Sequence, residues 1–331
     1  MQKKKWLFYS LFFIFFLLLT NTFVMYWSDT YSVAHPHRNK FYTEPNTRVL
    51  KTAYILENKT KYDSFIFGSS RIGAISPYRI TDGIYYNMSY SEGIPHEHLL
   101  NIKLFLNNNI KIKNLWIGLD DFSYQVSFEK HQIQGLTKLH PQATGTSLLS
   151  FYKDYFFRFP QGEDRRHIKH KMQNSSTFAT LNIAQDYNLS LLSKANENAK
   201  DFNTTQHLNK AEFNKPTYYS GNTLEETLQD IHEIKSLCKS HNIQCKFFIN
   251  PIHQTTYKFL DLNLLNNFKD NLEKITDYYD FAYLNAISEN NFYWHETSHY
   301  RSIVGDMIID TLTQQEKTKI PFGIYRPHRP L

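Results

Sequence analysis

Apolar residues run almost unbroken from Trp6 to about Trp27; only Ser10, Thr20, Asn21 and Thr22 are appreciably polar, and none of the run is charged. About 20 apolar residues in a helix cross a hydrocarbon core of about 30 Å. Lys3, Lys4 and Lys5 precede the run and favour a cytoplasmic N-terminus, and Trp6, Tyr26 and Trp27 stand where an interfacial aromatic belt would place them. A cleaved signal peptide would carry a shorter apolar core, about 7–15 residues, and a small-x-small cleavage site; Val24-Met25-Tyr26-Trp27 offers none. The pattern therefore predicts a basic cytoplasmic tip (1–5), a retained single-pass anchor (6–27) and an extracytoplasmic remainder; in a bacterial chain the membrane is then the inner (cytoplasmic) one and the remainder lies in the periplasm or on the outer surface.

Residues 28–60 read as a linker and lead-in element, with turn-like His35-Pro36-His37 and Glu44-Pro45-Asn46. A single unit is expected over 61–320. Apolar runs at 64–67, 84–88, 115–118, 246–249 and 281–284 predict buried strands. Apolar residues at helical spacing predict helices over 94–108, from 223, over 259–274 and over 303–312. Thr223-Leu-Glu-Glu226 has the form of a capping box. This alternation is the mark of a mainly parallel sheet covered by helices, whose reactive groups gather beyond the carboxyl ends of its strands. The alternation breaks down between about 122 and 220. That polar stretch, with an aromatic cluster at 151–159 and a basic run at 165–171, reads as a large, mostly helical insertion placed to roof a site. The proline-punctuated end, 321–331, reads as an extended tail.

Composition narrows the class. With 21% charged and 41% hydrophobic residues the chain is neither disordered nor polytopic. A net charge of +6 is small for 331 residues, and no zinc-finger, helix-turn-helix or RNA-binding aromatic motif points to nucleic acid. Two cysteines exclude a disulfide scaffold and a four-cysteine zinc site. The spacing of Cys238 and Cys245 leaves open a disulfide or two separate thiols. His96-Glu97-His98 lacks the i, i+4 spacing of a helical metal site, so neither metal nor cofactor is expected. The basic run suits a solvated face, anionic lipid or a polyanionic glycan.

Three predicted strand ends carry chemistry. Phe67-Gly68-Ser69-Ser70-Arg71 sets Ser70 at a strand-to-helix turn, where backbone N–H groups and the helix dipole favour an oxyanion. Trp294-His-Glu-Thr-Ser-His-Tyr300 sets Glu296 three residues before His299. A serine nucleophile needs a neutral imidazole to take its proton and a carboxylate to orient the ring. Gly93, after the second strand, and Asp120, after the third, stand where oxyanion or substrate contacts belong, and Arg71 is placed to meet an anionic group beside Ser70. Each has a plainer reading. Ser70, Asp120 and Asp121 are common capping residues, and Arg71 also suits a local ion pair.

Taken together, these segments resemble the SGNH (GDSL-like) hydrolase superfamily over 60–120 and 223–315, and among its members most resemble the membrane-anchored DltD-like and AlgX/AlgJ-like proteins. The resemblance implies a flavodoxin-like, three-layer α/β/α fold with a parallel sheet. It casts Ser70 as nucleophile, His299 as base, Glu296 as orienting acid and Gly93 as oxyanion glycine. It also implies an O-acetyl esterase or O-acyltransferase acting on a glycan or other polymer acceptor of the envelope or of exported polysaccharide, partnered by a polytopic membrane acyltransferase. Two positions depart from the pattern. Asp120 replaces an asparagine donor, and a carboxylate donates only when protonated; Glu296 replaces an aspartate. A non-catalytic glycan-binding or assembly factor is the alternative that Asp120 favours.

Overall fold

The computed structural model describes residues 2–37, 40–133, 135–174, 179–180, 201–314 and 322–329. The expected insertion segment 181–200 and the tail residues Pro321, Pro330 and Leu331 lie outside them.

The apolar runs become the strands of a six-stranded sheet: β1 (Ser64–Gly68), β2 (Tyr85–Ser89), β3 (Asn114–Leu119), β4 (Gln244–Ile249), β5 (Tyr278–Asp280) and β6 (Ile324–Arg326). Their order is β2-β1-β3-β4-β5-β6. The first five are parallel and β6 is antiparallel to β5. Because side chains alternate along a strand, Phe65, Phe67, Leu115, Ile117, Phe247 and Ile249 share one apolar cluster, while Ile66, Trp116 and Phe248 belong to the other. Burial on both faces explains why these strands read as continuous apolar runs. Each fully buried Phe or Ile contributes about 1.5–3 kcal/mol.

The first cluster draws in α3 (Pro95–Asn107), α4 (Leu224–Ser240) and α5 (Leu262–Glu273); the second draws in α6 (Ser302–Leu312) through Val304, Ile308 and Ile309. Details differ from the sequence reading, and the end read as an extended tail supplies the antiparallel edge strand β6. The last parallel strand lies at Tyr278–Asp280, three residues before the expected apolar run: the Phe281 N–H closes the ladder on the Ile249 carbonyl at 3.1 Å, and the Phe281 and Ala282 side chains enter the two core clusters. Thr223 is the N-cap of α4, but its hydroxyl makes no capping bond, so the expected box does not form; Asn222 Oδ1 accepts the Leu224 N–H instead, at 3.1 Å. Cys238 at the end of α4 is joined to Cys245 in β4 by a disulfide, with a Cα separation of 6.2 Å.

The N-terminal helix α1 (Gln2–Ser28) includes the 25-residue stretch Lys4–Ser28, which holds an 18-residue window of mean hydropathy 2.1 and is long and apolar enough to cross a membrane. It is apolar all round and exposed along most of its length, as a lipid-facing helix is. Beyond it, the lead-in segment folds onto the body through α2 (Thr47–Glu57), capped by Asn46. Buried Arg48 grips Glu97 with two hydrogen bonds of 3.0 Å each. Buried Lys51 donates to the Asn87 carbonyl at 3.0 Å and the Ser89 hydroxyl at 2.9 Å, and burial lowers its pKa to about 7. The described part of the insertion is mostly short helices, including Leu148–Phe156 and Gly162–Met172.

α6 abuts the turn that follows β1. A Cβ on Gly305 would stand 2.1 Å from the Ala74 carbonyl oxygen. We expect Gly305→Ala to cost about 1–3 kcal/mol through this backbone clash; denaturant titration of the full chain in detergent measures it, and an unchanged midpoint would refute the close contact.

Candidate active site

β1 delivers its carboxyl end to Ser69 and Ser70. Ser69 performs the capping that the sequence allowed for Ser70: its buried side chain accepts the Arg71 N–H at 3.2 Å. The Ser70 hydroxyl instead meets His299, with Oγ 2.8 Å from Nε2. The element that follows is a five-residue 3-10 helix, Ser70–Ala74. The full α-helix expected there is not formed, so an extended helix dipole is absent at Ser70. What the turn offers is local. Among the described residues the backbone N–H groups of Ser70 and Gly93 donate to no protein group. Gly93 packs so closely on β1 that a Cβ there would lie 2.6 Å from the Gly68 carbonyl oxygen, which brings the loop after β2 against the segment carrying Ser70.

His299 sits on a loop closed at its base by a bridge between Trp294 and Tyr300, both fully buried. The His295 N–H donates to the His299 carbonyl at 2.9 Å and the Arg301 N–H to the Tyr293 carbonyl at 2.8 Å. Inside this loop the Glu296 carboxylate accepts the N–H groups of Ser298 at 2.7 Å and His299 at 2.9 Å, and also bonds His299 Nδ1. With Nδ1 donating to Glu296, Nε2 is left to accept the Ser70 hydroxyl. Burial opposes ionisation of Glu296, yet the His299 ring and the two backbone donors outweigh it and hold the carboxyl below its usual pKa. The pair remains reachable, with side-chain exposures of 30% for His299 and 34% for Glu296.

Behind Ser70 lies a buried polar chain. Arg71 is enclosed, and its guanidinium pairs with Asp120 at 3.1 Å and with Asp121. Asp120 Oδ1 also accepts Asn250 Nδ2 at 3.1 Å, and Asn250 Oδ1 accepts the Tyr300 hydroxyl at 2.9 Å. Burial pushes the Asp120 pKa up to about 6, against the pull of Arg71 and with the push of Asp121. Arg71 thus serves the two carboxylates behind the turn, while Ser70, His299 and Glu296 are brought together at its front. Asn250, just past β4, and its partner Tyr300 escaped the sequence reading. The strand-end position of Asn250 was the available signal.

The end of the insertion borders these loops: Thr297 donates to the Lys215 carbonyl at 2.6 Å, and Tyr219 donates to Glu92 at 3.1 Å. His96, Glu97 and His98 turn to separate partners, Asp230, Arg48 and Tyr90. A cavity of about 1500 Å³ lies between the lead-in segment and the insertion, and neither Ser70 nor His299 lines it. No protein-family model matches the chain, and a search of curated proteins finds no significant match.

A carboxyl whose pKa rises on folding, from 3.8 to about 6 for Asp120, takes up protons on folding, so its contribution to stability declines as pH rises through that window. Asp120→Asn removes this dependence. We expect the variant to gain on the wild type, by on the order of 1–3 kcal/mol, between the lower and upper of those values, as read by denaturant melts at stepped pH. A parallel course of the two stability curves would refute it.

Proposed function

We propose that the chain is a membrane-anchored, extracytoplasmic serine acyl-transfer enzyme of the SGNH type, an O-acetyl esterase or O-acyltransferase of envelope or exported polysaccharide. The observation that carries the reading is the continuous hydrogen-bonded chain from Ser70 Oγ through both ring nitrogens of His299 to Glu296. The strand order β2-β1-β3-β4-β5 supports it, since this is the flavodoxin-like order with reactive groups beyond the carboxyl strand ends.

In this reading Ser70 Oγ attacks the carbonyl carbon of an ester while its proton passes to His299 Nε2. Glu296 stays ionised, held so by its two backbone donors, and steadies the imidazolium. The N–H groups of Ser70 and Gly93 receive the oxyanion, a role worth several kcal/mol per pair of donors. Collapse expels the alcohol, which takes the proton from Nε2, and leaves the acyl group on Ser70. Water or a sugar hydroxyl then gives its proton to Nε2 and attacks the acyl carbon; the bond from that carbon to Ser70 Oγ breaks, Oγ takes the proton back from Nε2, and the acid or the new ester leaves. The partly exposed triad suits a polymer approaching from outside. A glycan acceptor, a polytopic acyltransferase partner and an inner-membrane location belong to the same proposal.

A second reading has one observation in its favour. Asp120 accepts from Arg71 and Asn250, so the third strand end supplies no side-chain donor, as in a glycan-binding factor that keeps the fold without the reaction. Labelling separates the two. We expect a fluorophosphonate to label the wild type and not Ser70→Ala, and that variant to lose about 1000-fold or more in hydrolysis of an acetyl-ester reporter with its melting temperature unchanged. Unlabelled wild-type protein that still binds polymer would favour the second reading.

A further inference from the structure

We propose that the insertion helices Leu148–Phe156 and Gly162–Met172, with the loop between them, form a second contact with the bilayer and hold the body flat on an anionic leaflet around the anchor. The inference is independent of the catalytic reading and rests on α1 being a span.

Depth is the first argument. Asn21 Nδ2, seven residues before the end of α1 at Ser28, donates to the Arg158 carbonyl at 3.0 Å. Seven residues of helix measure about 10 Å, so the loop at 157–159 runs beside the span itself, below its outer end. The contact is built rather than grazing: Met25 shares a buried apolar cluster with Phe151, Tyr155 and Phe156, and the Tyr26 and Phe156 rings stand 5.5 Å apart. At this level the chain turns large apolar side chains outward. Phe157 is 63% exposed and Phe159 68%, and Met172, 73% exposed, lines one groove with Phe159. Such groups at the depth of the headgroups and upper acyl chains are the mark of an interfacial amphipathic element.

Charge is the second argument. Residues 148–173 hold six Lys or Arg against three Asp or Glu. All three carboxylates are taken up in ion pairs: Asp154 with Lys138, Asp164 with Arg158, and Glu163 with Arg166. Arg165 and Lys169 have no acidic partner among the described residues. They rim a groove of about 660 Å³ walled by Phe159, Pro160, Ile168 and Met172. An apolar groove edged by two cations that no described carboxylate neutralises, opening beside a membrane span, matches the acyl chain and headgroup of an anionic phospholipid.

The test uses the full chain in lipid nanodiscs. Both native cysteines are in a disulfide, so a single introduced thiol carries a spin label whose oxygen and aqueous-nickel accessibilities report depth. Labels go at Phe159→Cys, at Leu11→Cys within the span, and at Tyr325→Cys on the edge strand β6. In phosphatidylglycerol discs we expect the oxygen-to-nickel ratio at 159 to approach that at 11 and to exceed that at 325 several-fold. We further expect it to fall in phosphatidylcholine discs, and in phosphatidylglycerol discs on adding Arg165→Gln and Lys169→Gln together. A water-exposed label at 159 with an immersed label at 11 overturns the second contact while leaving the anchor. Exposure at both positions overturns both. A label at 159 that is wet in discs but shielded in native membranes overturns the lipid assignment in favour of a membrane protein on this face. Immersion indifferent to lipid charge and to the double variant overturns the anionic preference.

Discussion

The site depends on a buried polar chain that never touches the outside. Ser70 and His299 lie 229 positions apart in sequence, and their immediate neighbours are tied beneath the surface: Arg71 to Asp120, Asp120 to Asn250, and Asn250 to Tyr300. Each link is enclosed, where an unpaired partner is costly. Breaking a buried ion pair by removing one member costs about 3–5 kcal/mol. Such a chain has few alternative arrangements, so it fixes the relative position of the two loops behind their front contact. The raised pKa of Asp120 is the strain that this arrangement carries: two carboxylates share one guanidinium away from water.

Packing reinforces the same alignment from the apolar side. Trp294 and Tyr300 close the histidine loop and enter the core cluster that holds Ile72 from the serine turn and Val304 from α6. The absent side chain at Gly305 lets α6 rest on backbone, and the absent side chain at Gly93 does the same for the loop after β2. On the opposite flank, Arg48 and Lys51 fasten α2 to α3 and to the end of β2, which converts the segment between the membrane helix and the sheet from a tether into part of the body.

Much of this was legible in the sequence because it follows from periodicity. Runs such as Ser64–Gly68 can be buried on both faces only in a covered sheet, and the 27-residue helix at the start declares itself by length and apolarity. The pairing of Ser70 with His299 was legible through residue type and strand-end position together. What escaped depends on long-range partners. Nothing local distinguishes Arg48 or Lys51 from a solvated helix face, and Thr223 has the right spacing for a cap that Asn222 makes instead. The shift of the last parallel strand to Tyr278–Asp280 is of the same kind, since apolar character at 281–284 reports burial and says nothing of who supplies the ladder.

The bridge between Cys238 and Cys245 encloses only a short turn and restrains the unfolded chain little. Its bearing is on history. Disulfides form and last in oxidising compartments and are rare in the cytosol, so the redox state of this pair in protein taken from cells is a covalent record of the side of the membrane on which the body matured, written on the strand that leads to Asn250.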